Sequence, residues 1–431
     1  MNITIFSAHP FEQPFLQEAA QARHQLHFLE EALSLATADR AKGSPAVAIF
    51  VGDDASAPVL ERLAALGVRY LLVRAAGHDQ VDLPAAQRLG LRVANVPHYS
   101  PYAIAEHALA LILALNRHLH QADAQVRHAD FRLDALVGFD LHGKTVGIIG
   151  CGTIGGTMAG LLHGFGCRLL GYDVQPDATL TQRYGVEYVP LDALCAQADV
   201  VTMHAPLTPA TRQMLNAGQL ARMKRGAMLI NTSRGALLDT KAALAALESG
   251  QLGYLGLDVY EHEKGLFFYD HSQDSTPDPL LAQLLARPNV LITGHQGFLT
   301  REALGNIATT AIETLDKWLA GQPAPNELTP AGAVAPATAA YCGAAVPQCL
   351  RSSRDVARTC SSRYYSPRSS SEAFGLAGAR RSGASLRRAG RAGRTLSFKL
   401  RFAERTTRRK GAPLQPTPKT APIPRNGCST G

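Results

Sequence analysis

The sequence predicts an α/β protein with two parallel-sheet domains, followed by a basic tail that we expect to be disordered. Three observations support this prediction. Short apolar runs alternate with helical patterns along the first 330 residues, and one glycine-rich loop joins such a run to a helix. The composition then changes abruptly after Thr329. A chain of 431 residues is also long enough for two or three structural units.

The first 99 residues show a βαβ series. The run AVAIFV at 46–51 is fully apolar and lies between Pro45 and Gly52, which is typical of a buried parallel strand. The helix predicted at 58–66 has proline in its first turn and ends at Gly67. The other predicted elements of this part are strands at 3–6, 68–73 and 92–96 and a helix at 83–89.

A long helix is predicted at 100–119, capped by Ser100 with Pro101 at its first position. A second βαβ series follows, and the amphipathic helix predicted at 300–319 closes the pattern. Six strands in this rhythm are what a doubly wound nucleotide-binding domain requires. These six strands are predicted at 146–149, 168–172, 200–203, 227–231, 255–258 and 290–292.

The last 101 residues differ in charge from the rest of the chain. They contain 19 of the 43 basic residues but 3 of the 35 acidic ones, so residues 1–330 carry −8 and residues 331–431 carry +16. Their Ala, Gly, Ser, Pro and Arg content offers little apolar surface to bury, which predicts disorder. One hypothesis is an out-of-frame translation. The alternative is a basic arm that binds nucleic acid non-specifically through its phosphates.

The overall composition excludes several other classes of protein. The seven cysteines form no C-x-x-C pair, so neither a disulfide framework nor a metal site is expected. No apolar run reaches the ~20 residues that cross a bilayer, and the N-terminus has no signal-peptide pattern. We therefore expect a cytoplasmic protein without a membrane partner.

The loop Gly150-Cys151-Gly152-Thr153-Ile154-Gly155 follows the predicted strand TVGII and precedes a helix, which is the context of a dinucleotide-binding loop. Gly150 would allow the tight turn, Gly152 would let the backbone approach the pyrophosphate, and Gly155 would let the helix pack closely on the strand. Asp173 lies 18 residues later, at the end of the next strand, where a carboxylate binds the ribose hydroxyls. Its charge favours NAD over NADP.

Three later loops follow predicted strands and contain Arg, Glu and His side chains. Reduction of a 2-keto acid needs a group that binds a carboxylate, for which Arg is suited, and a proton donor, for which His beside a carboxylate is suited. Ligands bind at the carboxyl ends of strands in such sheets. Residue type alone assigns Arg234 to the first task and leaves Glu261, Glu263, His262 and His295 open for the second.

Several long motifs in order resemble the D-isomer-specific 2-hydroxyacid dehydrogenase family over about residues 1–328. The motifs are VPHYSPYAIAEHALAL at 96–111, NTSRGALLD at 231–239, DVYEHE at 258–263 and GHQGFLT at 294–300. The run EKGLFF at 263–268 is most similar to the fermentative D-lactate dehydrogenases of this family. The resemblance implies NAD as cofactor and pyruvate and D-lactate as substrate and product. It also implies a homodimer or homotetramer.

The resemblance assigns roles to individual residues. Arg234 would bind the substrate carboxylate and carbonyl, His295 would donate the proton in reduction, and Glu263 would pair with His295 and keep it protonated. Further substrate contacts are implied for Ala76, Gly77 and Tyr99. Further cofactor contacts are implied for Thr153, Ile154, Ala205, Pro206, Thr211, Thr232, Ser233 and Asp258.

The resemblance also implies an inserted arrangement of domains. Residues 1–99 and 299–330 would form the substrate domain, with a flavodoxin-like sheet, and residues 100–298 would form the Rossmann-like NAD domain inserted between them. Two other readings stay open. One is a reductase of glyoxylate, hydroxypyruvate or a longer 2-keto acid, which His98 in place of a small residue beside Tyr99 could favour. The other is an NAD-sensing corepressor, because some corepressors resemble this family.

Overall fold

The computed structural model describes residues 1–274 and 278–329. The predictions for the basic tail lie outside the described residues. Within them, the chain forms two parallel sheets with helices on their faces, and the predicted α/β fold with two such domains is confirmed. None of the described helices combines the length and the apolar character needed to cross a membrane.

The first sheet has five parallel strands in the order β2-β1-β3-β4-β5. This is the flavodoxin-like order. Its strand β3 is buried along its whole length, as the apolar run predicted. The strands are β1 (Asn2–Ile5), β2 (Gln25–Phe28), β3 (Ala46–Ile49), β4 (Tyr70–Val73) and β5 (Arg92–Ala94).

The second sheet has seven parallel strands in the order β12-β11-β10-β9-β6-β7-β8. The direction of winding reverses between β6 and β9, and crevices for ligands open at such switch points. The strands are β6 (Thr145–Ile149), β7 (Arg168–Tyr172), β8 (Glu187–Tyr188), β9 (Val200–Met203), β10 (Ala227–Asn231), β11 (Leu252–Leu257) and β12 (Val290–Ile292).

Twelve α-helices occur in the described residues, and most of them connect consecutive strands. Two short 3-10 helices, Ala38–Ala41 and Gly235–Leu237, complete the set. The α-helices are α1 (Gln13–Ala20), α2 (Ala57–Ala65), α3 (Leu83–Arg88), α4 (Pro101–Asn116), α5 (Leu119–Arg127), α6 (Thr153–Gly164), α7 (Ala178–Tyr184), α8 (Leu191–Gln197), α9 (Ala217–Arg222), α10 (Thr240–Glu248), α11 (Pro279–Leu285) and α12 (Arg301–Leu319).

The chain returns to the first sheet after completing the second. Helix α12 buries Ile312, Leu315 and Trp318 in one apolar cluster with Ile3 and Leu72 of the first sheet. The segment after α12 then runs beside β5, where Arg92 donates two hydrogen bonds to the Glu327 carboxylate. The last described residues therefore pack on the sheet that the first residues begin.

Some element predictions were wrong in detail. The second sheet has a seventh strand, β8, which is two residues long and too short to give a periodic pattern. Strand β2 was missed because it has only four residues, at the edge of the first sheet, and these contain no continuous apolar run. The helix predicted at 100–119 ends at Asn116, because His118 adopts a left-handed backbone (φ 51°) before α5 begins.

Candidate active site

The glycine loop lies at the switch point of the second sheet, between β6 and α6. Gly150 has φ +86°, and a Cβ there would lie 2.6 Å from the backbone nitrogen of Ala205, so only glycine fits. A Cβ at Gly155 would overlap the carbonyl oxygen of Gly150, which explains the close approach of α6 to the strand. Gly152 faces open space. A bound pyrophosphate can therefore reach the first turn of α6 past Gly152.

Asp173 lies beside this loop at the end of β7. Its carboxylate accepts hydrogen bonds from the backbone nitrogens of Cys151 at 2.6 Å and Gln175 at 2.9 Å. Asp173 therefore stabilises the glycine loop. It also lies at the end of β7, where the ribose of a dinucleotide is expected. Burial raises the pKa of the Cys151 thiol to about 11, and the Asp173 charge acts in the same direction. Cys151 therefore remains a protonated thiol at neutral pH.

A cleft of about 340 Å³ is lined by residues of both sheets. The structure brings many of the predicted site residues to its walls and leaves others outside them. The predicted residues that line it are Ala76, Gly77, Tyr99, Ile154, Ala205, Pro206, Thr232, Ser233, Arg234, Asp258 and His295. The predicted residues that are not part of this lining are Gly150, Gly152, Thr153, Gly155, Asp173, Thr211 and Glu263.

Arg234 follows β10 and reaches across the cleft. Its Nη1 donates to the carbonyl oxygen of Ser233 at 2.8 Å, and its Nε donates to the carboxylate of Asp79 at 3.1 Å. Its Nη2 lies over Gly77, where any side chain would overlap the guanidinium. A Cβ at Gly235 would overlap the backbone of Tyr260. This glycine therefore lets the loop after β10 pack on the loop after β11.

His295 and Glu263 form a pair at the ends of two adjacent strands. The distance between His295 Nδ1 and Glu263 Oε1 is 3.0 Å, and the second carboxylate oxygen of Glu263 accepts from the backbone nitrogen of Tyr260. His295 has a left-handed backbone with φ 56°, which is uncommon for a non-glycine residue. The carboxylate lies behind the imidazole, and of the two residues His295 alone lines the cleft.

Asp258 lines the cleft, but its carboxylate is occupied by protein donors. It accepts from the backbone nitrogens of Gln296 and Gly297, both at 2.8 Å, and from the Thr293 hydroxyl at 2.5 Å. Nε2 of His107 on α4 lies 3.2 Å away. Burial by itself would raise the pKa of Asp258, yet these partners hold it below its ordinary value. Asp258 therefore positions the loop that carries the histidine.

Aromatic rings form part of the cleft wall. Phe50 and Phe298 line the cleft with their ring centroids 5.9 Å apart, and Phe268 packs on Phe50 and beside His295. Burial raises the pKa of Tyr99, which lies beside them, to about 12. This end of the cleft is therefore suited to a small apolar group.

Two predicted contacts have other surroundings. The Thr211 hydroxyl donates to the carbonyl oxygen of Pro206 at 2.7 Å and so shapes the loop after β9 instead of lining the cleft. His98 is exposed and is not among the lining residues. A Cβ at Gly297 would lie 3.0 Å from a carboxylate oxygen of Asp258, a crowding that glycine avoids.

The sequence did not predict two side chains at or near the cleft. Asp79 lines the cleft and contacts Arg234. His107 lies outside the lining, and its Nε2 contacts Thr293 and Asp258. The only signals for these residues were their positions within recognised segments, two residues after Gly77 and inside the α4 motif.

Comparisons with known proteins agree with this geometry. The model of the family described as "D-isomer specific 2-hydroxyacid dehydrogenase, NAD binding domain" matches residues 109–297. A D-lactate dehydrogenase of Escherichia coli K12 is 46% identical over 329 residues, 76% of this chain and 100% of its own length. The chain belongs to the D-isomer specific 2-hydroxyacid dehydrogenase family. It is therefore an NAD-dependent oxidoreductase, as its motifs predicted.

Two further relatives match the same share of the chain. A D-lactate dehydrogenase of Curvularia clavata is 48% identical over 333 residues, covering 76% of this chain and 95% of that protein. The solved structure described as the pyruvate reductase of Chlamydomonas reinhardtii has a TM-score of 0.72 and 44% identity, covering 76% of this chain and 98% of its own. The family resemblance thus spans both sheets.

Proposed function

We propose that this family member is a D-lactate dehydrogenase that reduces pyruvate with NADH and runs in reverse with D-lactate and NAD. One observation carries the proposal: Arg234 and His295 come from separate loops and line one cleft, and Glu263 contacts His295 from behind. The names of the relatives at 46% and 48% identity support D-lactate as the substrate.

The residues around the glycine loop fit a bound NAD. Gly152 leaves room for the pyrophosphate, and α6 is twelve residues long, with the free N–H groups of its first turn at this point. Among the described residues, the buried Thr232 hydroxyl has no hydrogen-bond partner, although it lines the cleft. Thr232 and Ser233 would hold the nicotinamide end, and Asp173 the adenosine ribose. The bound cofactor supplies the hydride.

Arg234 would bind the substrate. Pyruvate presents a planar carboxylate next to a ketone, and a guanidinium fork matches such a group with two hydrogen bonds. Backbone N–H groups at Ala76 and Gly77 would complete the carboxylate site from the opposite wall. The rings of Phe50 and Phe298 would enclose the methyl group. An enclosure by these two rings favours a 2-keto acid with a short side chain over one with a long side chain.

His295 would give the proton to the ketone oxygen and take it back in the reverse direction. Its Nδ1 faces Glu263, so Nε2 is the nitrogen free to act on substrate. Glu263 would hold the imidazole ring in place through its contact with Nδ1. This arrangement delivers the proton as negative charge develops on oxygen.

We also propose the inserted domain arrangement, with residues 1–99 and 299–330 as the substrate domain and residues 100–298 as the NAD domain. The packing of α12 on the first sheet supports it. Closure of the cleft between the two domains would exclude water from the reaction. Exposed apolar side chains at Phe131, Leu133 and Val137 support the homodimer or homotetramer, which a mass measurement in solution would test.

A substrate panel tests the proposal. NADH oxidation is measured with pyruvate, glyoxylate, hydroxypyruvate and 2-ketoisocaproate, and NAD reduction with D- and L-lactate. We expect the highest kcat/KM with pyruvate and activity with D-lactate alone of the two isomers. A higher kcat/KM with another 2-keto acid would reassign the substrate, and no turnover with any of them would remove the enzyme assignment.

The variant His295→Gln tests the proton donor. Glutamine keeps a polar side chain of similar length but cannot transfer a proton in this pH range. We expect pyruvate turnover to fall by about 10²- to 10⁴-fold, while NADH still binds when fluorescence is measured. Undiminished turnover in this variant would exclude His295 as the proton donor.

A further inference from the structure

Asp79 contacts Arg234 across the cleft. The two residues come from different sheets: Asp79 follows β4 of the first, and Arg234 follows β10 of the second. Arg234 Nε lies 3.1 Å from Asp79 Oδ2, with side chains that are 30% and 55% exposed. No other carboxylate among the described residues forms a salt bridge with this arginine.

The protein contacts leave one edge of the guanidinium free. A guanidinium carries five N–H donors in a rigid plane. Asp79 takes the Nε donor, and the carbonyl oxygen of Ser233 takes one hydrogen of Nη1. Among the described residues, no acceptor binds the remaining Nη1 hydrogen or either Nη2 hydrogen, and Nη2 lies over Gly77 in the loop after β4. With two fixed points, the plane cannot turn about the bond between Cδ and Nε without breaking a contact.

We propose that Asp79 is a positioning residue that orients Arg234, so that its Nη1–Nη2 edge faces the substrate carboxylate and ketone. The inference rests on the proposed function, because it assigns Asp79 a task in binding the 2-keto acid. Asp79 lies two residues after Gly77, so the same loop offers backbone donors to the substrate and an anchor to the arginine. The Arg234 guanidinium and the loop that carries Gly77 would bind the same substrate carboxylate, and Asp79 fixes their relative position.

Two effects of Asp79 oppose each other. Its charge repels an anionic substrate, whereas its hydrogen bond orients the group that binds it. Because more than half of the Asp79 side chain is exposed, water and salt screen the repulsion strongly. Misdirection of a bidentate donor is not screened, since the geometry itself is lost. We therefore expect orientation to dominate.

The central experiment compares Asp79→Asn with a matched control. Asp39→Asn removes the charge from another half-exposed aspartate of the first sheet's domain, which also pairs with an arginine, Arg62. We expect Asp79→Asn to lower kcat/KM for pyruvate about tenfold, mainly through a higher KM, and to weaken inhibition by oxamate about equally. Asp39→Asn should stay within about twofold of the wild type. NADH affinity and melting temperature should match the wild type in both variants.

A double-mutant cycle separates orientation from a general effect of charge. The Arg234→Lys variant has no Nε–H edge to orient, so adding Asp79→Asn to it should cost less than about twofold in kcat/KM. Asp79→Glu, which keeps the carboxylate, should recover part of the lost kcat/KM.

Several outcomes would overturn the inference. They are an unchanged kcat/KM in Asp79→Asn, a lower KM for pyruvate, or an equal loss when Asp79→Asn is made in the wild type and in the Arg234→Lys variant. If the wild type turns over pyruvate and Asp79→Asn is unaffected, only the inference fails. If the wild type reduces no 2-keto acid, the proposed function fails and the inference fails with it.

Discussion

Arg74 and Arg234 both line the cleft, but the protein binds their guanidinium groups in different ways. The Arg74 side chain is 0% exposed, and its Nε and Nη2 make four hydrogen bonds, to both carboxylate oxygens of Glu12 and to two backbone carbonyls at the end of β1. The Arg234 side chain is 30% exposed and makes two. Arg74 Nη1 is buried without a hydrogen-bond partner among the described residues, so both arginines have unused donors, but only those of Arg234 lie on a side chain that is open to solvent.

Residue type and position in a cleft therefore do not by themselves identify the arginine that binds substrate. A buried arginine paired with a carboxylate is neutralised locally and holds chain segments together. A partly exposed arginine with unused donors can bind an incoming anion. We therefore expect Arg234 variants to lose activity while remaining folded, and Arg74 variants to lose stability first.

The largest effect is expected from Arg234→Ala. It removes two charge-assisted hydrogen bonds to substrate, each worth about 1.5–3 kcal/mol, so kcat/KM for pyruvate should fall about 10²- to 10⁴-fold. Steady-state kinetics measure this, with urea unfolding as the check on folding. Near-normal kinetics would exclude Arg234 from the site and leave Arg74 as the alternative.

Arg74→Met comes next and should act on stability. It leaves the Glu12 charge buried without its partner, which costs about 3–5 kcal/mol in the free energy of unfolding. The double variant Arg74→Met with Glu12→Leu should recover most of this loss, because both charges are then removed. Urea unfolding of the three proteins provides the measurement. A stable Arg74→Met protein that has lost only activity would contradict the structural role assigned to Arg74.

Gly77→Ala should act through Arg234. The new methyl group would overlap Nη2, so the guanidinium must move and kcat/KM should fall on the order of 10²-fold. Gly164→Ala is the matched control, because a Cβ at that position meets no atom within 4 Å. Equal kinetics in the two variants would show that the cleft tolerates a displaced arginine.

Tyr99→Phe should have the smallest effect. Because burial raises the pKa of the Tyr99 hydroxyl to about 12, the group stays protonated as pH rises through about 8 to 10. The pH profile of D-lactate oxidation should therefore have the same shape in both proteins, with kcat/KM lowered at most about fivefold, the value of one neutral hydrogen bond. An alkaline limb that disappears in Tyr99→Phe would contradict this expectation.

Much of the fold followed from local pattern. The apolar run of β3 and the strand–glycine–helix order around Gly150 are readable because neighbouring residues decide them. Strand β8 was not readable, because two residues at a sheet edge carry no periodicity. The site motifs placed Arg234, Glu263 and His295 on separate loops and left their distances undetermined.

By itself, the sequence determined the alternation of most strands and helices, the dinucleotide loop and the family to which the chain belongs. Only the tertiary structure decided which side chains meet: His295 with Glu263, Asp258 with the loop at 293–297, and Asp79 with Arg234. The physical reason is that these contacts join residues far apart in the chain. Their partners depend on which strands lie side by side and on how the two sheets pack, which no local pattern records.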